Sequence, residues 1–245
     1  MQRQVPSPAA DSEPHPPDRF IPRCEEIPDS PPAGNYVVID VLYFSTTVVE
    51  LLENGADFIH VTEQRGDELA YKRDNPEARI GGDRMTDFEP ADGYDFFNSP
   101  SYVQSLDVAD RPVAMTSTNG GRAVDRLRAT DGVSVYVGGA TNAAALADHL
   151  DTEPDPTYLV SAGSTGFIAH EDHIGATIIG RRLAGEPIPD HDVDRFRRGI
   201  ELGKGRQYKY SHPTRRTDVE EYATAIDSRS AVPRLEGDRL VDIAA

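Results

Sequence analysis

Short apolar runs that alternate with helical patterns constrain this chain more than any other feature of it. "YVVIDVL" is followed by "STTVVELLENG", "DFIHVT" by "EQRGDELAYKR", "RPVAMTST" by "GGRAVDRLRA", "VSVYVGG" by "TNAAALADHL", and "TYLVSAG" by "HEDHIGATIIGRRLAG". The runs have the length of buried strands and are rich in β-branched residues, and the segments after them carry their apolar residues on one helical face. Such alternation implies crossover units, and therefore a mainly parallel sheet with helices on both faces. The first unit carries its own punctuation: Tyr36 to Leu42 as strand, a Thr47/Glu50 capping pair, an apolar stripe, and a terminal Asn54-Gly55. Beyond Pro189 the chain turns polar, with helices expected around Asp192 to Leu202 and Thr217 to Ile226.

A chain of 245 residues can bury a full core, and residues 33–245 read as a single α/β domain. Residues 1–32 are dense in proline and short of apolar periodicity, which reads as a disordered tail in which only "RFIPRC" could add an edge strand. The balance of 42 Asp and Glu against 25 Lys and Arg gives a formal net charge of -17. A surface that negative repels nucleic acid and anionic membranes. The only lysines are Lys72, Lys204 and Lys209, and an acidic, lysine-poor composition of this kind fits a halophilic protein that works at high internal salt. Cys24 stands alone, which excludes an intrachain disulfide. No run approaches the roughly 18 apolar residues of a membrane span. No signal peptide opens the chain, so a soluble cytoplasmic protein is expected, and a homo-oligomer is compatible with everything above.

Open α/β sheets collect ligands at the carboxyl ends of their strands. Asp40 lies there, just ahead of the hydroxyls Ser45 and Thr46, and reads either as a ligand-site acid or as a turn residue bonded to loop amides. "MTSTNGGRA" runs from a strand through Thr116, Ser117, Thr118, Asn119 and Gly120 into a helix bearing Arg122. Hydroxyls, exposed amides and a guanidinium at a helix N-terminus make an oxyanion cradle, although an ordinary capped Asn-Gly turn has the same spelling. It lacks the Gly-Lys-Ser/Thr ending of a Walker loop, and "VGGATNAAA" lacks a dinucleotide fingerprint, which leaves Asn142 as a helix cap. "SAGSTGFIAHEDHIGA" reaches Glu171 and Asp172 in the first turn of a helix, where acids complement the dipole or supply hard oxygen ligands for magnesium. The flanking His170 and His173 have no third soft ligand nearby for zinc. "GGDR" and "FNSP" add Asp83, Arg84 and Asn98 near the same edge. Acid oxygens for a metal beside amides, hydroxyls and arginine for an oxyanion describe a site for a phosphate ester.

In this order and spacing, "VVIDVLYFSTTVVELLENGA", "GGDR", "FNSP", "TSTNGGRA" and "SAGSTGFIAHEDHIGA" resemble the motif series of the 2-phosphosulfolactate phosphatase family. The resemblance runs from about Asn35 to "RSAVPRLEGD" near the C-terminus. It implies a three-layer α/β/α fold with a mainly parallel or mixed sheet, a cofactor Mg2+, hydrolysis of a small anionic phosphate ester, and a place in coenzyme M biosynthesis. Asp40, Glu171 and Asp172 become the metal or acid/base candidates. Ser45, Thr46, Arg84, Asn98, Asn119 and Arg122 become the phosphate and substrate candidates, joined by the Thr118 and Gly120 amides of the cradle.

The chain departs from the family at one place. Tyr43 and Phe44 stand where the family carries an arginine and a small residue before Ser45. A phenol donates one hydrogen bond but supplies no charge, so the expected substrate is an ester less anionic than phosphosulfolactate. The alternative is a non-catalytic anion-binding member of the fold. An aspartyl-phosphate route through Asp40 is disfavoured, because the haloacid-dehalogenase pattern needs an aspartate where this chain has Leu42.

Overall fold

The computed structural model describes residues 19–82 and 85–244. The elements follow the expected alternation. They are β1 (Phe20–Ile21), β2 (Gly34–Ile39), α1 (Phe44–Glu53), β3 (Phe58–Val61), α2 (Asp67–Asp74), β4 (Arg79–Gly82), the small hairpin β5 (Met85–Thr86) and β6 (Glu89–Pro90), β7 (Pro112–Thr116) and α3 (Gly120–Arg128). Then come β8 (Val133–Gly138), α4 (Ala143–Leu150), β9 (Thr157–Ser161), α5 (His170–Leu183), α6 (Asp190–Leu202), α7 (Pro213–Thr217), a π-helix (Asp218–Ala223), β10 (Pro233–Glu236) and β11 (Arg239–Asp242).

Nine strands form one mixed sheet in the order β1-β9-β2-β8-β10-β11-β3-β7-β4. Two parallel blocks, β1-β9-β2-β8 and β3-β7-β4, are joined by the C-terminal hairpin, which pairs antiparallel with β8 on one side and with β3 on the other. That hairpin turns on Gly237-Asp238, with Gly237 at a φ of 64°, the left-handed conformation that a two-residue hairpin loop needs. Strand β2 shows how the layers arise. Tyr36 and Val38 face a core shared with Val48, Leu51, Val124 and Leu127 of α1 and α3. Val37 and Ile39 face a second core with Leu146, Ile178, Ile179 and Ile200 of α4, α5 and α6. Every residue of β2 is buried, as a strand covered on both faces must be. The fold is three-layer α/β/α.

Three expectations are corrected. From Arg19 onward the presumed tail is part of the fold: β1 pairs with β9 as the edge strand expected in "RFIPRC", and Ile21, Cys24 and Ile27 are buried in the α1/α3 core. Residues 1–18 lie outside the described residues. Thr47 and Glu50 do not cap α1, which begins at Phe44; Thr47 is buried in its interior, and Glu50 is paired with Arg229. Asn142 precedes α4 without capping it, and ties the Gly139 amide to the Ala231 carbonyl instead. No helix of the described residues is long and apolar enough to cross a membrane.

Candidate active site

The loops leaving β2 and β7 meet, and a cleft of about 300 Å³ opens over them. Asp40 lies at its floor, 6 % exposed, one residue past the end of β2. Its Oδ2 accepts a hydrogen bond from the Gly120 amide at 3.0 Å, and the Ser117 hydroxyl lies 3.5 Å away. The positive end of α3 therefore faces an acid of this chain, and carboxylates are favoured at that place by the helix dipole.

Ser45 and Thr46 hold the turn that presents Asp40. The Asp40 amide donates to Ser45 Oγ at 2.6 Å, and the Thr46 hydroxyl donates to the Val41 carbonyl at 2.8 Å. Both side chains are buried, and neither lines the cleft. Asp172 works on the same turn from α5: Oδ1 accepts from the Val41 amide at 2.9 Å and Oδ2 from the Gly163 amide at 3.0 Å. Burial pushes its carboxyl well above the usual carboxylate range, and the charges of Asp40 and Glu171 add to that rise. Glu171 packs against the chain at Gly203 and Lys204. A Cβ on Gly203 would lie 2.4 Å from Glu171 Oε2, and Oε1 is 3.9 Å from Lys204 Nζ. Of Asp40, Glu171 and Asp172, only Asp40 lines the cleft, and the other two lie behind it, where the charges of Asp40 and Glu171 both act on Asp172. Among the described residues no group of three or more His, Cys, Asp or Glu side chains is set to hold a metal.

The Thr116–Arg122 loop divides in the same way. Ser117, Thr118 and Asn119 line the cleft, whereas Gly120 is occupied by Asp40. A Cβ on Gly120 would lie 2.3 Å from the Phe44 ring, so only glycine lets this loop pass over that aromatic. Arg122 leaves the site and pairs with Glu25 of the N-terminal segment. Asn119 accepts from the Thr165 amide at 3.0 Å, which closes one side of the cleft. Asn98 lines it as well, with its Oδ1 buried and without a hydrogen-bond partner among the described residues. Arg84 and Asp83 lie outside the described residues.

Several wall residues were not anticipated. Arg65, on the loop after β3, reaches the Thr118 hydroxyl. That loop is held by buried Glu68, which accepts from the Gly66 amide at 2.7 Å and the Tyr94 hydroxyl at 3.1 Å and also bonds Thr116. Lys204, Tyr208, Arg215 and Asp218 come from the polar C-terminal region. Tyr43 stacks on one of them: its ring lies 6.3 Å from that of Tyr208, and burial, with Tyr208 next in importance, pushes its phenol far above the ordinary range. The described wall thus carries three cations, Arg65, Lys204 and Arg215, against two acids, Asp40 and Asp218, in a chain whose net charge is -17. Lys204 and Arg215 had no sequence signal, because they lie in a polar segment with no periodic pattern.

A family model described as 2-phosphosulpholactate phosphatase matches residues 21–198. A protein of Deinococcus radiodurans named "Probable 2-phosphosulfolactate phosphatase" is 35% identical over 173 residues, covering 70% of each chain. A protein of the same name from Symbiobacterium thermophilum is 33% identical over 177 residues, 71% of each chain. A third, from Thermotoga maritima, is 26% identical over 208 residues, 81% of this chain and 88% of that protein.

Proposed function

The chain belongs to the 2-phosphosulpholactate phosphatase family, and from that premise we propose that it hydrolyses a small phosphate monoester in the cleft over Asp40. The observation that carries the reading is the local excess of cations over acids around a buried aspartate, in a protein that is otherwise strongly acidic. A cleft of that sign concentrates small anions. Arg65 and the Ser117–Asn119 loop hold the phosphoryl oxygens, and the guanidinium offers them a planar fork. Asp40 orients the attacking water in line with the departing oxygen and takes up its proton. Asp172 fixes the turn that aims Asp40.

Magnesium belongs to the same proposal, in a reduced form. This ion commonly takes one or two protein carboxylates and keeps several waters, which fits Asp40 with Asp172 behind it better than a three-carboxylate set. When bound there it would neutralise charge on the phosphoryl group. The expectation of a less anionic substrate loses its premise, since Lys204 and Arg215 supply cations on the side where Tyr43 replaces the family's arginine.

The test is phosphate release from phosphorylated hydroxy acids and sugar phosphates, with magnesium or with a chelator, in molar potassium chloride to suit the acidic composition. Turnover that disappears with chelation and with Asp40→Asn is the expected result. Binding of phosphate esters without release of phosphate from any of them would overturn the enzyme reading in favour of an anion-binding protein.

A further inference from the structure

We propose that Arg215 is a specificity-determining residue: clamped in the cleft between two aromatic rings, its guanidinium reads a second anionic group carried by the phosphate ester. The inference rests on the reading of the cleft as a phosphate-ester site. The Arg215 Cζ lies 4.4 Å from the ring centre of Tyr208 and 5.1 Å from that of Phe88. Phe88 is itself stacked on His212, with ring centres 3.7 Å apart and planes 5° from parallel. The clamp joins two separate parts of the chain, the β5–β6 hairpin and the segment around α7, across the mouth of the cleft.

What the clamp lacks is a direct ion pair, although the Arg215 charge acts on the Asp218 carboxyl from a distance. Among the described residues Arg215 forms no ion pair, and its Nε is buried without a hydrogen-bond acceptor. The nearest candidate, Asp218, is committed elsewhere. Its oxygens accept from the Ser99 hydroxyl at 2.8 and 2.9 Å, the Ser101 amide at 2.9 Å and the Ser101 hydroxyl at 2.5 Å. Aromatic faces hold a guanidinium in position while leaving its in-plane N–H groups pointing outward for a planar anion. Arg215 also lies after the 21–198 range that matches the family model, as do Lys204, Tyr208 and Asp218. In this scheme the phosphoryl group is held within the matched range and the second anion is read by Arg215 in the segment beyond it.

Asp218 is a positioning residue in this scheme. It starts the π-helix and ties that helix to the Ser99–Ser101 turn, which sets where Arg215 enters the cleft. A π-helix is a rare form that recurs at functional sites.

The test uses two non-hydrolysable probes of equal carbon count, 3-phosphonopropionate and propylphosphonate, which differ by one carboxylate. Calorimetric titration with magnesium present should show the unmodified chain favouring the carboxylate probe by about tenfold, a typical worth for one charge-assisted pair. Arg215→Gln should abolish that preference and lower 3-phosphonopropionate affinity about tenfold more than propylphosphonate affinity, because loss of one wall cation weakens both probes and loss of the pairing weakens only the first. Arg215→Lys keeps the charge without the stacking plane and should retain part of the preference, which also serves should the glutamine variant fold poorly. Asp218→Asn should lower the preference with propylphosphonate binding preserved. A preference that survives Arg215→Gln, or equal loss of both probes, overturns the inference. No preference in the unmodified chain, or no binding of either probe, does so too. Phosphate release measured in parallel separates the two readings: an Arg215-dependent preference in a chain that turns over no ester would overturn the phosphatase reading and leave this one standing.

Discussion

The wall of the cleft built from strand ends and the wall built from residues after Leu202 are anchored by different kinds of contact. The strand-end wall rests on apolar packing: β2 is wholly buried between two cores, and Phe44 and Val48 lie fully inside one of them. The later wall, with Val219 and Ala223 buried in the second core, is fastened in addition by polar clasps. Asp218 binds Ser99 and Ser101, and Glu50 binds Arg229 through Nε at 2.7 Å. Glu53 accepts from the Ser230 and Ala231 amides at 2.6 and 2.9 Å. Lys209 pairs with Glu201 at 2.9 Å and Glu220 at 2.8 Å. Apolar burial tolerates changes of salt and pH, whereas ion pairs and buried carboxylates answer to both. On the proposed function, the wall assigned the chemistry is therefore the less sensitive to salt and pH, and the wall assigned to the rest of the ester the more sensitive.

Asp40→Asn should break this comparison most severely. The amide keeps an oxygen for the Gly120 N–H and is close to the carboxylate in volume, so the fold should persist. The charge that orients water and any metal is lost, and kcat/KM should fall by about a thousandfold, within the range removed when a general base is lost. Steady-state rates beside a thermal melt would check it. A fall of less than about tenfold would move the chemistry to another residue.

The rigidity of the strand-end wall can be measured at Phe44 and Gly120. Phe44→Ala empties a fully buried aromatic site and should cost about 3–5 kcal/mol. Gly120→Ala should cost about 1–3 kcal/mol, because its Cβ meets the Phe44 ring and a packed aromatic has no room to yield. The double variant should be more stable than the sum of the two, since removing the ring makes space for the methyl group. Chemical denaturation of all three would decide it, and strict additivity would show that the two residues do not share the space.

Asp218→Asn should have a smaller effect on stability, about 1–3 kcal/mol, because one buried acceptor of hydroxyl and amide hydrogens is weakened while the cores stay intact. Its signature should be a rise in KM for a doubly anionic ester with kcat little changed. A fall in kcat alone would place Asp218 in the chemistry.

These contrasts also explain which parts of the molecule were legible in the sequence. The βα units were, because strand runs and helical faces repeat with a period that any reader of the chain can see. Asp40 and the Ser117–Asn119 loop were legible for the same reason: a position at a strand end is a matter of order along the chain. Arg122 misled, since its place on a helix N-terminus says nothing of Glu25, which lies far back in the sequence and draws it away. Glu171 and Asp172 were legible as buried acids near the site, but their partners, the Val41 and Gly163 amides and Lys204, depend on tertiary approach. The central hairpin had a signal, "RLEGDRL", with a Gly-Asp turn between two apolar residues, and its insertion between β8 and β3 had none. Arg215 had no signal, because aromatic clamping needs Phe88 and Tyr208 to meet from distant positions.

The finest test of the comparison is a pH slope at Glu50, where helix α1 of the packed body grips the later wall through Arg229. Burial raises the Glu50 carboxyl above its ordinary value of 4.5, although Arg229 and Gln104 pull the other way. A carboxyl raised in the folded state binds its proton more tightly there than in the unfolded chain. Its contribution to stability is therefore greatest below pH 4.5 and is lost as the pH rises from 4.5 through the raised folded value, after which it is constant. Glu50→Gln has no proton to lose, so it subtracts every other titrating group from the comparison. The stability of the natural chain relative to Glu50→Gln should decline across that window and then level off. Denaturant midpoints of the two proteins at a series of pH values, in low and in molar salt, would measure it. A relative stability that climbs with pH would mean that the Arg229 pairing outweighs burial, and that the clasp is an ordinary ion pair no more sensitive to alkali than the wall it joins.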